Sequence, residues 1–166
     1  TPPKVELALD KPRSIPAQGN AQKGEWSTLG PAGSGNSITR MTMDPTPGVP
    51  LLADWNGDGV ATPGVFHDGK WLVTNAAVGS APWEGFAEFG SAGDIPLTGY
   101  RENDSKADLA VFRDGNWTWR NSTGKQDSFV FGEAGDRPLV ADWNGDGIDE
   151  PAVVRRNICI IPKAKR

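Results

Sequence analysis

A run of oxygen-bearing side chains at residues 142–150 is the stretch of the sequence best suited to chemistry. It reads DWNGDGIDE, with oxygen donors at its first, third, fifth and ninth positions and a glycine after the third donor. Alternate residues that aim oxygens at one point, with a backbone carbonyl from the seventh position, can enclose a hard cation. The predicted ligands are Asp142, Asn144, Asp146, the carbonyl of Ile148 and Glu150.

The donor types indicate which cation the loop would take. A flexible loop of carboxylates and carbonyls tolerates irregular coordination, which suits Ca²⁺ better than Mg²⁺. Zn²⁺ is disfavoured because the loop contains neither Cys nor His. An EF-hand is excluded because its twelfth position, where that motif needs an acidic ligand, is Val153. An ordinary polar turn remains open, since Asn-Gly and Asp-Gly are strong turn signals.

The same loop recurs twice earlier in the chain, with some of its donor residues replaced each time. In the loop at 54–62 the predicted ligands are Asp54, Asn56, Asp58, the carbonyl of Val60 and Thr62. The neutral ninth residue predicts weaker binding there, because affinity falls with ligand charge. The loop at 100–108 departs further, since Tyr100 replaces the first Asp and Ser105 replaces the Gly. Three carboxylates remain in it, and the occupancy of this loop stays open.

An internal repeat positions these loops. The segment 49–59 is nearly repeated by 137–147, and a weaker copy lies at 95–100. Each unit of roughly 40–45 residues predicts about four short strands, which is the size of a β-propeller blade. The strands expected in the first full unit are 50–54, 64–67, 71–74 and 86–89.

The repeat boundaries predict an all-β, β-propeller-like fold of about three blade-equivalents, each of four short antiparallel strands, with partial blades at both ends. Repeats are expected over 25–161, beginning at a third strand near Trp26 and ending in a variant third strand at 158–161. Residues 1–24 are predicted to be a Pro/Gly-rich arm or linker, and 162–166 a basic tail. Because propellers need at least four blades, we expect either a longer protein or closure by a second copy.

The composition limits the function classes. The chain has 21 Gly, 14 Pro and 7 Trp, which is typical of short strands joined by tight turns. Its formal charge of -4 gives no general attraction to nucleic acid. No apolar run approaches the length of a membrane span. The single cysteine, Cys159, excludes an internal disulfide and is predicted to be a small buried apolar residue.

The repeat motifs resemble the FG-GAP/VCBS-type repeats of bacterial secreted proteins and integrin α-subunit propellers. The Phe-Gly pairs at 89–90 and 131–132, the Gly-Asp-x-Pro segments and the DWNGDG loops carry the resemblance, which covers about residues 25–161. It implies a β-propeller-like fold with Ca²⁺ in the loops between first and second strands. It also implies a secreted or cell-surface location and a role in adhesion, recognition or structural support without enzymatic activity.

The first functional hypothesis is therefore a Ca²⁺-stabilised, non-enzymatic binding or adhesion module for a glycan or an extracellular protein. The tryptophans predicted as ligand contacts are Trp55, Trp143, Trp119 and Trp83, because exposed aromatic residues commonly form interfaces. Packing between blades is the competing interpretation for Trp55 and Trp143. Core positions are predicted for Trp71 and Trp117.

Two further functions compete with the first. A hydrolase with paired carboxylates is disfavoured, because the repeats already account for the acidic residues. The only histidine, His67, aligns with Arg113 and Arg155 and is predicted to lie on the surface. The other alternative is a self-assembling structural subunit, a homo-oligomer that completes its blades, or the accessory domain of a secreted hydrolase.

Overall fold

The computed structural model describes residues 17–20, 25–29, 38–42, 46–75, 82–102 and 104–163, the first three ranges as backbone alone. Over these residues every regular element is a β-strand, which confirms the predicted all-β class. Among the described residues there is no helix of the length and apolarity that a membrane crossing requires.

The strand bounds follow the chain in order. The described strands are β1 Ala17–Asn20, β2 Glu25–Leu29, β3 Ile38–Thr42, β4 Val49–Ala53, β5 Thr62–His67, β6 Lys70–Val73, β7 Glu84–Glu88, β8 Ile95–Gly99, β9 Asp108–Arg113, β10 Asn116–Arg120, β11 Gln126–Val130, β12 Arg137–Ala141, β13 Glu150–Arg155 and β14 Ile158–Ile160. The four strands expected in the first full unit correspond to β4–β7, with bounds shifted by one or two residues.

The strands form four open antiparallel sheets, in each of which consecutive strands pair. The first sheet is β1–β3, the second β4–β7, the third β8–β11 and the fourth β12–β14. Strand β4 lies beside β1, β8 beside β4, and β12 beside β8. The sheets therefore stand side by side with their first strands adjacent. The second and third sheets have four strands each, and the first and fourth have three.

The first sheet begins earlier than the sequence indicated. Strand β1 lies within 1–24, for which an arm was predicted, and pairs along its whole length with β2. Trp26 is thus on the middle strand of a three-stranded sheet. The segment AQGN of β1 contains no β-branched or aromatic residue, so no strand pattern was visible there. The remainder of the predicted arm, and residues 164–166 of the predicted tail, lie outside the described residues.

Tight Asp-Gly turns join the second and third strands of both complete sheets. Asp68-Gly69 and Asp114-Gly115 have positive φ at both residues, as the predicted hairpin turns require. A Cβ on Gly69 would lie 2.5 Å from the carbonyl oxygen of Gly90, so glycine is required sterically as well. In the fourth sheet, Arg156-Asn157 adopts positive φ at the same place without glycine.

The Phe-Gly motif is held by the hairpin that precedes it. The N–H of Phe89 donates to the carbonyl of Gly69 at 2.8 Å, and the carbonyl of Phe89 accepts from Trp71 Nε1 at 2.9 Å. Phe131 and Trp117 repeat the second contact at 2.9 Å in the third sheet. Through these hydrogen bonds, the Phe-Gly motif connects the end of the fourth strand of each four-stranded sheet to the hairpin formed by the second and third strands.

Two apolar clusters fill the spaces between neighbouring sheets. Between the second and third sheets the buried members are Ala53, Trp55, Phe66, Trp71, Val73, Phe89, Ala107, Leu109 and Val111. Between the third and fourth sheets they are Ala110, Phe112, Trp117, Trp119 and Val153. The predicted core positions of Trp71 and Trp117 are confirmed, with exposures of 1% and 0%.

One face of the fourth sheet is left without a covering sheet among the described residues. We call it the outer face, and its exposed members are Leu139, Trp143, Cys159 and Ile161. At the matching positions of the second sheet lie Leu51, Trp55, Trp71 and Val73, which pack toward the third sheet. The predicted burial of Cys159 is wrong, because its position is covered only where another sheet follows.

Candidate metal centre

The loops between first and second strands are hydrogen-bonded to one another in series. The carbonyl of Asp54 accepts from the N–H of Ala107 at 2.9 Å, and the carbonyl of Tyr100 accepts from the N–H of Asp149 at 2.9 Å. The N–H of Tyr100 also donates to the carboxylate of Asp149 at 2.8 Å. Each first-position residue thus binds the eighth position of the next loop, and the three loops form one row.

Within the loop at 142–150, the backbone folds around the carboxylate of Asp142. Oδ1 accepts from the N–H groups of Gly145 at 2.6 Å and Asp146 at 3.1 Å, and Oδ2 accepts from Gly147 at 2.9 Å. Gly147 has a φ of +92°, which residues with a side chain rarely adopt. The first predicted ligand is therefore fixed in orientation by the turn itself.

Three carboxylates converge in this loop. Oxygens of Asp142, Asp146 and Glu150 lie within 4.8 Å of one another, the only such acidic group within the part of the chain that is described. Asn144 Nδ2 donates to Asp146 Oδ2 at 3.0 Å and to Glu150 Oε1 at 2.5 Å. The positive end of this amide lies between two carboxylates and offsets their repulsion.

The donor set fits a Ca²⁺ ion. All the candidate groups are oxygens, and oxygens on opposite sides of a Ca²⁺ ion lie up to about 5 Å apart. Asn144 Oδ1 accepts from the N–H of Asp146 at 2.8 Å, so its amide must rotate before its oxygen can join the three carboxylates. Ile148 contributes its N–H to Asp146 Oδ1 at 2.9 Å, which is compatible with a ligating carbonyl.

The loop at 54–62 has the same backbone arrangement but lacks the third carboxylate. Asp54, only 2% exposed, accepts from Gly57, Asp58 and Gly59 at 2.7, 3.2 and 2.8 Å. Thr62 at the ninth position is 3% exposed, and its carbonyl accepts from Trp55 Nε1 at 2.8 Å. The turn conformation therefore does not depend on the acidic ninth residue, which is the addition that distinguishes the loop at 142–150.

In the loop at 100–108, partners outside the loop engage the acidic side chains. The Tyr100 hydroxyl accepts from the N–H of Asp54 at 3.1 Å, so this replacement for the first Asp reaches back to the preceding loop. Glu102 accepts from Asn121 Nδ2 at 2.6 Å, and Asp104 accepts from the Ser122 hydroxyl at 2.5 Å. These two carboxylates are directed toward the turn between β10 and β11.

The predicted tryptophan contacts differ in burial. Trp55 is 3% exposed and Trp119 is 2% exposed, so neither indole ring lies open on the surface. Trp143 is 38% exposed and Trp83 is half-buried. Trp55 lies against the third sheet, whereas Trp143 lies at the matching position on the uncovered outer face. The two tryptophans have the same neighbours in the sequence. Their burial differs because a further sheet packs against Trp55 and none of the described sheets packs against Trp143.

Sequence reasoning missed the aspartate of the Gly-Asp-x-Pro segment as a clamp. Asp136 Oδ1 and Oδ2 accept from Arg155 Nε and Nη2, both at 2.7 Å. Asp94 and Arg113 form the matching pair at 2.7 Å. The pKa of Asp136 is lowered, mainly by the hydrogen bonds from Arg155. His67, at the aligned position, is exposed, which confirms its predicted surface location.

Asp108, the ninth residue of the loop at 100–108, is one of the three carboxylates that the sequence leaves in that loop. It is 1% exposed, and burial raises its pKa to about 6. The N–H of Arg101 donates to Asp108 Oδ2 at 2.9 Å and opposes this rise, while nearby Asp104 and Glu102 add to it. The repeat pattern thus identified Asp108 as an acidic loop residue, but its burial was not predicted.

No family model matches the chain, and no curated protein or solved structure matches it. The resemblance to FG-GAP/VCBS repeats therefore depends on the motifs of the chain itself, and function has to be argued from the geometry described above.

Proposed function

We propose that the chain is a non-enzymatic, Ca²⁺-stabilised binding module of the FG-GAP/VCBS type, acting outside the cell on a glycan or an extracellular protein. The observation that carries this proposal is the convergence of Asp142, Asp146 and Glu150 within 4.8 Å in a loop of oxygen donors. Without a cation, these three carboxylates repel one another at close range. A bound Ca²⁺ would remove that repulsion and hold the turn between β12 and β13.

A β-propeller-like arrangement is the architecture that we propose for the repeats. The support is the row of antiparallel sheets whose first strands are adjacent, as in the blades of a propeller. The register also recurs, because Leu51, Leu97 and Leu139 each lie opposite the third residue of the following strand. Equal register lets successive sheets stack in the same way.

The expected affinity fits an extracellular setting. Extracellular Ca²⁺ modules bind with Kd values of about 10⁻⁴–10⁻³ M. At an ion concentration about ten times Kd, binding to the folded state alone adds roughly 1.4 kcal/mol to the free energy of unfolding. That is a useful increment for a fold whose last sheet has one uncovered face.

Thermal unfolding in Ca²⁺ and in chelator tests the proposal. Ca²⁺ is expected to raise the Tm of the wild type and of Glu84→Gln, a control that removes an exposed carboxylate far from the loop. It is expected to raise the Tm of Glu150→Gln much less, because a charged ligand is lost. A wild-type Tm that is equal in Ca²⁺ and chelator would overturn the Ca²⁺ part of the proposal.

Assembly of copies is a second candidate function, favoured by the outer face of the fourth sheet. Leu139 and Trp143 are each 38% exposed, and Ile161 is 45% exposed. At the same positions of the second sheet, Trp55 and Val73 are 3% and 2% exposed because the third sheet covers them. A further sheet of the same kind, supplied by a second copy, would bury the outer face in the same way.

A further inference from the structure

A cavity of about 400 Å³ lies at the end of the third sheet, between the loop at 100–108 and the turn between β10 and β11. Its volume falls in the range of small-molecule binding sites. Asp108 and Trp119 lie on its inner side. Neither residue belongs to the proposed metal loop, so the cavity is a separate feature of the molecule.

Two buried polar atoms beside this cavity have no hydrogen-bond partner among the described residues. They are Asp108 Oδ1, an acceptor, and Trp119 Nε1, a donor. The backbone N–H of Ser122 lies close enough to lower the pKa of Asp108 slightly, but Oδ1 makes no hydrogen bond of good geometry with it. Buried polar groups are rarely left unpaired, because a group that loses its water partners without gaining a new one destabilises the fold.

The two atoms lie on one face of the third sheet. Trp119 on β10 is paired with Ala110 on β9, and Asp108 is two residues from Ala110 on the same strand. Since alternate residues of a strand point to the same face, Asp108 and Trp119 are diagonal neighbours on it. A group that both donates and accepts hydrogen bonds, such as a hydroxyl, can pair with either atom.

The charges around the cavity are nearly balanced. Two cationic side chains, Arg101 and Lys125, accompany three carboxylates, while Asn121 and Gln126 add neutral amides that donate and accept. An anionic ligand would meet the carboxylate of Asp108, and an aliphatic ligand would leave both buried atoms unpaired. A neutral ligand with several hydroxyl groups matches this set best.

The Arg101 side chain covers the inner part of the cavity. Its guanidinium lies 5.0 Å from the centre of the Trp119 ring and 3.8 Å from Asp127. The Trp119 ring also stacks with the Trp117 ring, with 6.4 Å between the ring centres and an angle of 7° between the planes. A sugar ring that displaced the guanidinium would present its C–H groups to the indole and its hydroxyls to Asp108.

We propose that this cavity binds one ring of a neutral sugar, with Asp108 accepting from a hydroxyl, Trp119 Nε1 donating to one, and Arg101 moving aside. This inference rests on the proposed function in one respect, because it names a neutral sugar as the ligand of the proposed binding module. It does not require Ca²⁺ in the loop at 142–150.

The test follows the indole N–H signal of Trp119 in ¹⁵N-labelled full chain, identified by its loss in Trp119→Phe. Methyl glycosides of glucose, galactose, mannose and N-acetylglucosamine are the probes. At least one is expected to shift the signal saturably in the wild type and in Glu84→Gln. Binding is expected to weaken roughly tenfold or more in Asp108→Asn, because a neutral amide replaces the charged acceptor and makes a weaker hydrogen bond.

A stability measurement separates a binding role from a structural one. Asp108→Asn keeps the shape of the side chain and removes a buried charge, so its Tm at pH 7 is expected to equal or exceed that of the wild type. A lower Tm would show that the carboxylate is needed for the fold and would overturn the assignment. If this variant does not fold, Trp119→Phe tests the donor, with the Asn121 side-chain amide as the reporter signal.

Two other results would also overturn the inference. One is the absence of a saturable shift with all four glycosides, as expected if only water occupies the cavity. The other is an unchanged affinity in Asp108→Asn. Titrations in Ca²⁺ and in chelator distinguish the sugar site from the proposed Ca²⁺ site. A Tm that depends on Ca²⁺, without sugar binding, would contradict the sugar site and leave the Ca²⁺ site supported.

Discussion

Trp143 and Glu150 are joined by two hydrogen bonds that close the acidic loop. The backbone N–H of Trp143 donates to Glu150 Oε2 at 3.0 Å, and its indole Nε1 donates to the Glu150 carbonyl at 3.1 Å. The indole bond recurs between Trp55 and Thr62, whereas the carboxylate bond is possible only where the ninth residue is acidic. The Trp143 backbone therefore helps to orient the carboxylate that distinguishes this loop.

Asp142→Ala is expected to destabilise the protein with or without Ca²⁺. Three backbone N–H groups lose their acceptor, although they lie near solvent and water can replace part of the loss. We expect the free energy of unfolding to fall by about 1–3 kcal/mol in chelator and by more in Ca²⁺, as measured by urea titration. Asp127→Ala, which removes an exposed carboxylate, serves as the control. No loss in chelator would contradict the structural role assigned to Asp142.

The pair of Asp136 and Arg155 predicts a pH-dependent stability. Because Arg155 lowers the pKa of Asp136 in the folded state, the stabilisation is complete above the ordinary Asp pKa of about 4 and is lost as pH falls below it. Asp136→Asn is therefore expected to lower the Tm at pH 7. Its difference from the wild type should shrink as the pH is lowered from about 4.

The control for this prediction is Asp127→Asn. Asp127 is exposed and lies 3.8 Å from Arg101, a surface pair that contributes little to stability. Melting curves recorded between pH 7 and pH 3 compare the three proteins. Equal Tm values of Asp136→Asn and Asp127→Asn at pH 7 would contradict the clamp role of the buried pair.

Ile161→Lys is expected to disrupt assembly through the outer face. A lysine there places a charge in the middle of an apolar contact, so the mass measured by light scattering should fall from a multimer to a monomer. Val130→Lys is the matched control, since Val130 is 77% exposed on β11, away from the outer face. A wild type that is monomeric at all protein concentrations would rule out this mode of assembly.

The repeat made much of the fold predictable from sequence. Strands β4–β7 fall within one or two residues of their predicted bounds, because apolar residues and Asp-Gly turns recur at equal spacing. Strand β1 was not predictable, because its polar sequence lacks a strand pattern. The opposite burial of Trp55 and Trp143 was not predictable either, because it depends on which sheet follows and not on local sequence.

The candidate site was predictable in its ligands but not in its supports. The spacing of Asp142, Asp146 and Glu150 indicated that they converge, and their oxygens do so. Nothing in the sequence indicated that the Asn144 amide nitrogen would lie between two carboxylates. The sequence also did not indicate that Asp108 would be buried with an unpaired oxygen, since the matching residues of the other two loops are Thr62 and Glu150.

A Ca²⁺ titration followed by the backbone amide signals of the loop tests the central claim most directly. In chelator-stripped, ¹⁵N-labelled protein, the signals of Gly145, Asp146 and Gly147 should shift saturably, with a Kd of about 10⁻⁴–10⁻³ M. In Glu150→Gln the same shifts should require at least roughly tenfold more Ca²⁺, because a charged ligand is lost. Loop signals that do not respond to Ca²⁺, or that respond equally in both proteins, would contradict a metal centre formed by these residues.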